Sequence, residues 1–235
     1  MSESTNPHML RYDELAKKYG FCHLSCGWNS EYSETTRFLR FIAHLPGNAL
    51  SPIPANRSIN EKYDLRVLDI GCGHGALLKM LKNNCHGATR KYTGLDISQT
   101  MLDLTRIRLM DMGMLDTSYF DCQLHLVAED IMEPWFTEAR ETERFNVVFA
   151  GGISCNFASH ETMADMIFKM HELLLPGGMG GVNFLTVPGK HKDGTPLTHF
   201  DPVNVYRAAK WVATNVVLDE GYFPHDATVV FRREA

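Results

Sequence analysis

Residues 67–78, VLDIGCGHGALL, set an apolar run, three closely spaced glycines and the start of a helical pattern side by side. Val67 to Ile70 read as a buried strand. Ala76, Leu77 and Leu78, followed by Met80 and Leu81, read as the apolar face of a helix, so the glycines between form a tight turn. Two patterns fit that turn. Gly71, Gly73 and Ala76 satisfy the dinucleotide fingerprint G-x-G-x-x-G/A, in which a pyrophosphate rests on the helix N-terminus. Gly71, Gly73 and Gly75 satisfy G-x-G-x-G instead. The two predict different ligands, and the rest of the chain decides between them.

Outward from the turn, strands and helices alternate. LRVLDI leads into the helix GALLKMLKN, and KYTGLDI leads into SQTMLDLTRIRLMDMG, capped by Ser98 and stopped by Gly113. CQLHLVAED alternates as a strand should, and FNVVFAGG is a further apolar run. SHETMADMIFKMHELLLPGG follows as a long amphipathic helix with Met163, Met166, Ile167, Met170, Leu173 and Leu174 on one face. GGVNFLTV is another strand, and a helix is expected from Asp201 to Val212. NVVLDEG and DATVVFRRE close the chain with no helix between them, so they should be antiparallel neighbours. Strands separated by helices mean βαβ units and a parallel sheet.

Before this core stand two helical patterns, RYDELAKKYG and SETTRFLRFIAHL. In the second, Ser33 is the expected cap and Phe38, Leu39, Ile42 and Leu45 the expected apolar face. PGNALSPIPANRSIN then reads as a linker. The division is residues 1–62 as a helical lid and 63–235 as the ligand-binding core.

Composition bounds the function. The chain has 235 residues, 44% hydrophobic, a net charge of −5 and dispersed basic residues, which argues against nucleic acid as a partner. No apolar run reaches the roughly 18–20 residues of a transmembrane helix. Six cysteines at 22, 26, 72, 85, 122 and 155 include no C-x-x-C pair, and the N-terminus is polar. Cys22, Cys26 and His23 lack a fourth ligand, so no metal site is expected and the thiols read as reduced and structural. A cytoplasmic protein, monomeric or homodimeric, is expected.

In such sheets ligands bind beyond the carboxyl ends of the strands. Three of the four turns there present a carboxylate: Asp69, Asp96 and Glu129-Asp130. Two like charges near 4 Å repel by about 4 kcal/mol at an effective dielectric of 20, which disfavours a pyrophosphate beside Asp69. A cationic ligand reverses the sign. VLDIGCGHG, with YTGLDIS and AEDI after it, resembles the cofactor motifs of class I S-adenosylmethionine (SAM)-dependent methyltransferases over roughly residues 65–232. The resemblance implies a Rossmann-like α/β fold, a mostly parallel seven-stranded sheet with an antiparallel last strand. It also implies the site residues. Asp69, Gly71, Cys72, Gly73 and Gly75 would face the methionine and ribose portion, and Asp96 the ribose hydroxyls. Ile97 and Ile131 would flank adenine, Asp130 would accept from its amino group, and Gly151 would lie under the methionine end.

The reaction is less constrained. The turn GGISCNF lacks the N-P-P-Y tetrapeptide of nucleic-acid amino-methylating relatives. The lid and the C-terminal region carry Tyr12, Tyr19, Phe21, Trp28, Tyr32, Phe200 and Tyr206, aromatic faces that attract a sulfonium. GFCHLSCGWNSEYSETTRF and HFDPVNVYRAAKW resemble segments of small, stand-alone bacterial members of the family. Methyl transfer to an oxygen or nitrogen of a small molecule, in natural product biosynthesis, is the first expectation. Asn156, Tyr206 and His199 are its candidate catalytic residues, with His160 and Asp201 as further base candidates. A similarity to azetidine-2-carboxylate synthases implies the alternative, a SAM lyase or cyclase releasing methylthioadenosine, with Asn156, Ser154 and Tyr206 holding the amine and carboxylate. A non-catalytic SAM sensor is the third.

Overall fold

The computed structural model describes residues 7–45, 65–84, 89–112, 123–126, 136, 144–156, 159–191 and 194–235. Gly113, the 46–60 linker and the 62/63 boundary lie outside these residues.

Every strand expected around the glycine turn is present. β1 spans Leu65–Ile70, β2 Thr89–Asp96, β3 Gln123–Leu126, β4 Phe145–Ala150 and β5 Leu174–Leu185. β8, Asn215–Glu220, and β9, Asp226–Arg232, complete a seven-stranded sheet of order β3-β2-β1-β4-β5-β9-β8. All pairs from β3 to β5 are parallel, and β9 runs antiparallel to both β5 and β8. Strand order reverses between β1 and β4, so the turns after these two strands border the crevice where such sheets bind ligands.

Two apolar layers cover the sheet because β1 and β4 alternate at a period of two. Val67, Val147 and Phe149 pack with Leu77, Leu81, Leu102 and Leu109 of α3 (Ala76–Asn84) and α4 (Gln99–Asp111). Leu68, Ile70, Val148 and Ala150 pack with Met163, Ile167 and Met170 of α5 (His160–Leu173) and Val205 and Ala209 of α6 (Pro202–Val212). Ser98 and Ser159 cap α4 and α5 by accepting from Met101 N and Thr162 N, and Asp201 caps α6 by accepting from Val203 N and Asn204 N. These caps satisfy amides that a helix cannot pair itself. A small ribbon, β6 (Gly189–Lys190) with β7 (Pro196–Leu197), stands beyond β5. Periodicity gave no hint of it, since each strand has only two residues.

The N-terminal helices are α1, Pro7–Tyr19, and α2, Glu31–Ile42. The cap of α2 is Ser30, whose hydroxyl accepts from Ser33 N at 3.0 Å; Ser33 is already inside the helix. The buried face is correspondingly rotated. Phe38, Ile42 and Leu45 are buried as expected, but Leu39 is 40% exposed and Phe41 is fully buried, stacked on Phe149 at 4.1 Å.

Candidate functional site

The backbone of the glycine turn is fixed from two sides. Gly71 N and Cys72 N both donate to the Leu95 carbonyl near the end of β2, and Thr105 Oγ1 donates to the Gly73 carbonyl at 2.7 Å. Gly71 and Gly73 have φ values of +74° and +53°, which side chains rarely adopt. Space requires glycine as well. A Cβ on Gly71 would sit 1.9 Å from Ile153 Cγ2, and one on Gly73 would sit 2.4 Å from Cys26 Sγ. The close approach expected of a ligand is therefore made in part by the fourth turn and by the lid.

Two buried carboxylates stand beside this turn. Asp69, in β1, is 2% exposed and accepts from the Tyr92 hydroxyl at 2.6 Å. Asp96, closing β2, accepts from Gly73 N at 2.8 Å and Ser98 N at 2.9 Å. Burial pushes Asp69 up to about 7 and Asp96 up to about 6, against the hydrogen bonds that each accepts. Neither has a cationic side chain as a hydrogen-bonding partner among the described residues; their acceptor capacity suits a ligand that brings positive charge and hydroxyls. Cys72 is buried, with Gly94 leaving room for its sulfur, and burial holds its thiol far above the usual range. Ile97 is half-buried beside Asp96. Gly151 follows β4 under the Phe38 and Phe149 rings. Asp130 and Ile131 lie outside the described residues.

Residues 7–45, the segment expected to be a lid, pack against the carboxyl ends of the strands. Asp13 of α1 accepts from the Ser98 hydroxyl and from Thr100 N, docking α1 onto the start of α4. Cys26 sits over Gly73, and the Trp28 indole covers Gly152, where a Cβ would come within 2.3 Å of the ring. The Arg37 guanidinium lies 4.5 Å from the Trp28 ring and pairs with Asp226 at the start of β9, Nε to Oδ1 at 3.2 Å. Both partners are buried, which is tolerable for charge only when it is paired.

Beneath the lid is a cavity of about 360 Å³, within the range of small-ligand sites. Tyr12, Tyr19 and Trp28 line it from the lid, Gly152, Ser154 and Cys155 from the fourth turn, Asn183 and Leu185 from β5, and Lys190 and His191 from the ribbon region. Burial raises the Tyr12 hydroxyl above its ordinary value and the Cys155 thiol to about 11, so both stay protonated at neutral pH. Asn156 Nδ2 donates to the Tyr12 hydroxyl at 3.2 Å, which makes Asn156 a positioning neighbour of the cavity. Ser154 Oγ donates to the Asn183 carbonyl at 2.8 Å.

The other expected residues are not brought there. Tyr206 is half-buried on α6, and His199 is exposed before that helix; neither lines the cavity. His160 is exposed and edges against Phe200, while Asp201 is occupied as the α6 cap. Phe200 is fully buried against Phe184, and Tyr32 is 72% exposed beside Phe223. Conversely, Arg37, Asp226, Asn183 and Lys190 are cavity residues that the sequence did not single out. One signal was available: Glu34 and Arg37 fall on the same helical face as Phe38 and Phe41, an odd place for two charges. Cys22 Sγ lies 3.6 Å from His23 Nδ1, whereas Cys26 belongs to the contact with the glycine turn.

Comparison with known proteins adds what the chain is similar to. The sequence profile of a methyltransferase domain matches residues 67–178. No curated protein matches the sequence. An O-methyltransferase family protein from Burkholderia thailandensis superposes with a TM-score of 0.58 at 13% identity; 86% of this chain aligns, spanning 56% of that protein. CalS10, an amino pentose methyltransferase from Micromonospora echinaspora solved with SAM bound, gives 0.56 at 16% identity over 88% of this chain and 93% of its own. N-methyltransferase NodS from Bradyrhizobium japonicum in complex with S-adenosylhomocysteine gives 0.53 at 14% identity over 96% and 99%. These identities establish a shared fold. With the profile match over residues 67–178, they make the chain similar to class I SAM-dependent methyltransferases, whose fold it shares.

Proposed function

We propose that the chain transfers a methyl group from SAM to an oxygen or nitrogen of a small molecule held in the lid-roofed cavity. The observation that carries this reading is a cavity of about 360 Å³ lined by Gly152, Ser154 and Cys155 of the fourth turn and by Cys26, which sits against Gly73 of the glycine turn whose amide Asp96 holds. The residues present fit the cofactor. Asp96 spends one lone pair of each oxygen on Gly73 N and Ser98 N, which leaves one on each for the ribose hydroxyls. Asp69 has one oxygen bonded to Tyr92 and the other available to an ammonium. Ile97 would lie against adenine, and the Gly151-Gly152 turn would lie beneath the methionine end. Asp130 and Ile131 keep the adenine roles that the family motif implies.

When bound, SAM supplies an electrophilic methyl on a positively charged sulfur, which leaves as S-adenosylhomocysteine once the acceptor's lone pair has taken the methyl. The chain's own part is alignment and exclusion of water, the main requirements of such a displacement. Trp28 and Tyr12 wall the cavity against solvent, and Asn156 fixes the Tyr12 hydroxyl as an oriented hydrogen-bonding group for the acceptor. His191, at the cavity wall, is the candidate to take the acceptor's proton. Tyr206 and His199 have no part in this arrangement. The natural-product context of CalS10, involved in calicheamicin biosynthesis, supports a comparable setting here.

Incubation of the purified protein with SAM, with and without a metabolite extract, tests the reading by mass spectrometry. S-adenosylhomocysteine formed only with extract, together with a product heavier by one methylene, is the expected result. Methylthioadenosine formed from SAM alone would overturn it in favour of a SAM lyase.

A further inference from the structure

The lid meets the glycine turn through three side chains of unlike chemistry. Cys26 comes from the segment between α1 and α2, Glu34 from the first turn of α2, and His74 from the glycine turn itself. One ligating atom of each, a thiol sulfur, a carboxylate oxygen and an imidazole nitrogen, lies within 4.8 Å of the other two. Glu34 is 6% exposed and His74 is 2% exposed. Neither ring nitrogen of His74 nor Glu34 Oε1 makes a hydrogen bond among the described residues, and Nε2 and Oε1 stand 3.4 Å apart. A buried polar atom left unpaired costs about 1–3 kcal/mol, and Nε2 and Oε1, so close to each other and to the Cys26 sulfur, can share one partner.

We propose that Cys26, Glu34 and His74 bind one divalent transition-metal ion of the zinc type, which ties the lid to the glycine turn. Ligand chemistry selects the ion. A thiolate and an imidazole favour zinc or a similar borderline cation over calcium or magnesium, which take oxygen ligands. Gly73 gives the sulfur its seat, because any side chain there would occupy the position of Sγ. Ligand atoms around tetrahedral zinc lie about 3.3–3.8 Å apart, so closure asks for movements of about 1 Å. Three protein ligands leave a fourth position for water or a ligand oxygen, as in zinc sites that are not purely structural.

Protonation is consistent with the geometry. Burial, with Arg108 and Lys79 adding to it, holds His74 near 4, so the imidazole is in its neutral, ligating form at pH 7. Burial raises Glu34 to about 7 and Cys26 to about 12, so binding must release the thiol proton and part of a carboxyl proton to solvent. Arg108 is the nearby charge that opposes the ion, and it also favours both anionic ligands.

The test uses the whole chain, stripped with chelator and titrated with zinc or cobalt(II). The expected result is one ion per chain by elemental analysis. Cobalt should give a thiolate-to-metal charge-transfer band in the near ultraviolet. Cys26→Ser should abolish that band and His74→Gln should weaken cobalt binding at least tenfold, while Cys22→Ser changes neither. Absence of stoichiometric binding at 100 μM free zinc, binding without the band, or a band surviving Cys26→Ser overturns the proposal. Should Cys26→Ser not fold, judged by circular dichroism, the His74→Gln comparison decides by itself.

Discussion

Asp96 serves four partners with two oxygens. It accepts from Gly73 N and Ser98 N, and the proposed ribose hydroxyls would take the remaining lone pairs. In Asp96→Asn one oxygen becomes an NH2 that faces one of those amides, donor against donor. Hydrogen bonds to charged groups contribute about 1.5–3 kcal/mol each, so affinity for S-adenosylhomocysteine should fall about 10–100-fold by calorimetry. Wild-type affinity would remove Asp96 from the site. Asp69 makes a different prediction, because burial raises it to about 7 and a cationic ligand favours its ionised form. Affinity for SAM should therefore rise from pH 5.5 to 8, with proton release on binding. Asp69→Asn should flatten that profile, and a wild-type affinity independent of pH would contradict the ammonium role.

At the scale of elements, the lid is held by a few identifiable contacts. Trp28 over Gly152 and under the Arg37 guanidinium is the central one. A cation–π contact contributes about 1 kcal/mol, so Trp28→Ala should make cleavage within residues 20–30 about fivefold faster in limited proteolysis, with the core melting little changed. Unchanged cleavage would mean that the Asp13 bonds to Ser98 and Thr100 hold the lid unaided. Legibility of the sequence divides along the same line. Strands β1 to β4, the cap Ser98 and the α5 face from Met163 to Leu173 were readable because each rests on local periodicity or a side chain three residues from its partner, whereas Leu174, expected on that face, opens β5. The α2 cap was misplaced by one turn, since Ser30 and Ser33 both offer a hydroxyl and only the extended φ of −157° at Ser30 distinguishes them. The carboxylates at the strand ends were readable from their place after apolar runs. Arg37–Asp226, separated by 189 residues, leaves no trace in any window, and neither does the meeting of Cys26, Glu34 and His74. Tyr206 and His199 show the converse: residue type suggested chemistry, but Tyr206 lies on α6, which packs against α5 and the last strands, and neither residue lines the cavity.

For the whole molecule, the site's charges should be visible in the stability of the ligand-free protein. Asp69, Asp96 and Glu34 are raised by burial to about 7, 6 and 7. A carboxyl whose pKa is higher folded than unfolded contributes stability that is fully present below the unfolded value and lost as pH rises through the folded value. His74 acts in the opposite sense: its folded value near 4 contributes stability present above about 6.5 and lost as pH falls. In chelator-stripped protein, where Glu34 and His74 hold no ion, three groups oppose one, so the ligand-free melting temperature should fall between pH 5 and 8. Saturating SAM should reduce this fall, because it compensates the charges of Asp69 and Asp96 and binds only the folded chain. Differential scanning calorimetry across that range, with and without SAM, measures both slopes. A ligand-free melting temperature that instead rises toward pH 8 would mean that the carboxylates are already compensated within the protein, and that the site was not built to receive a cation.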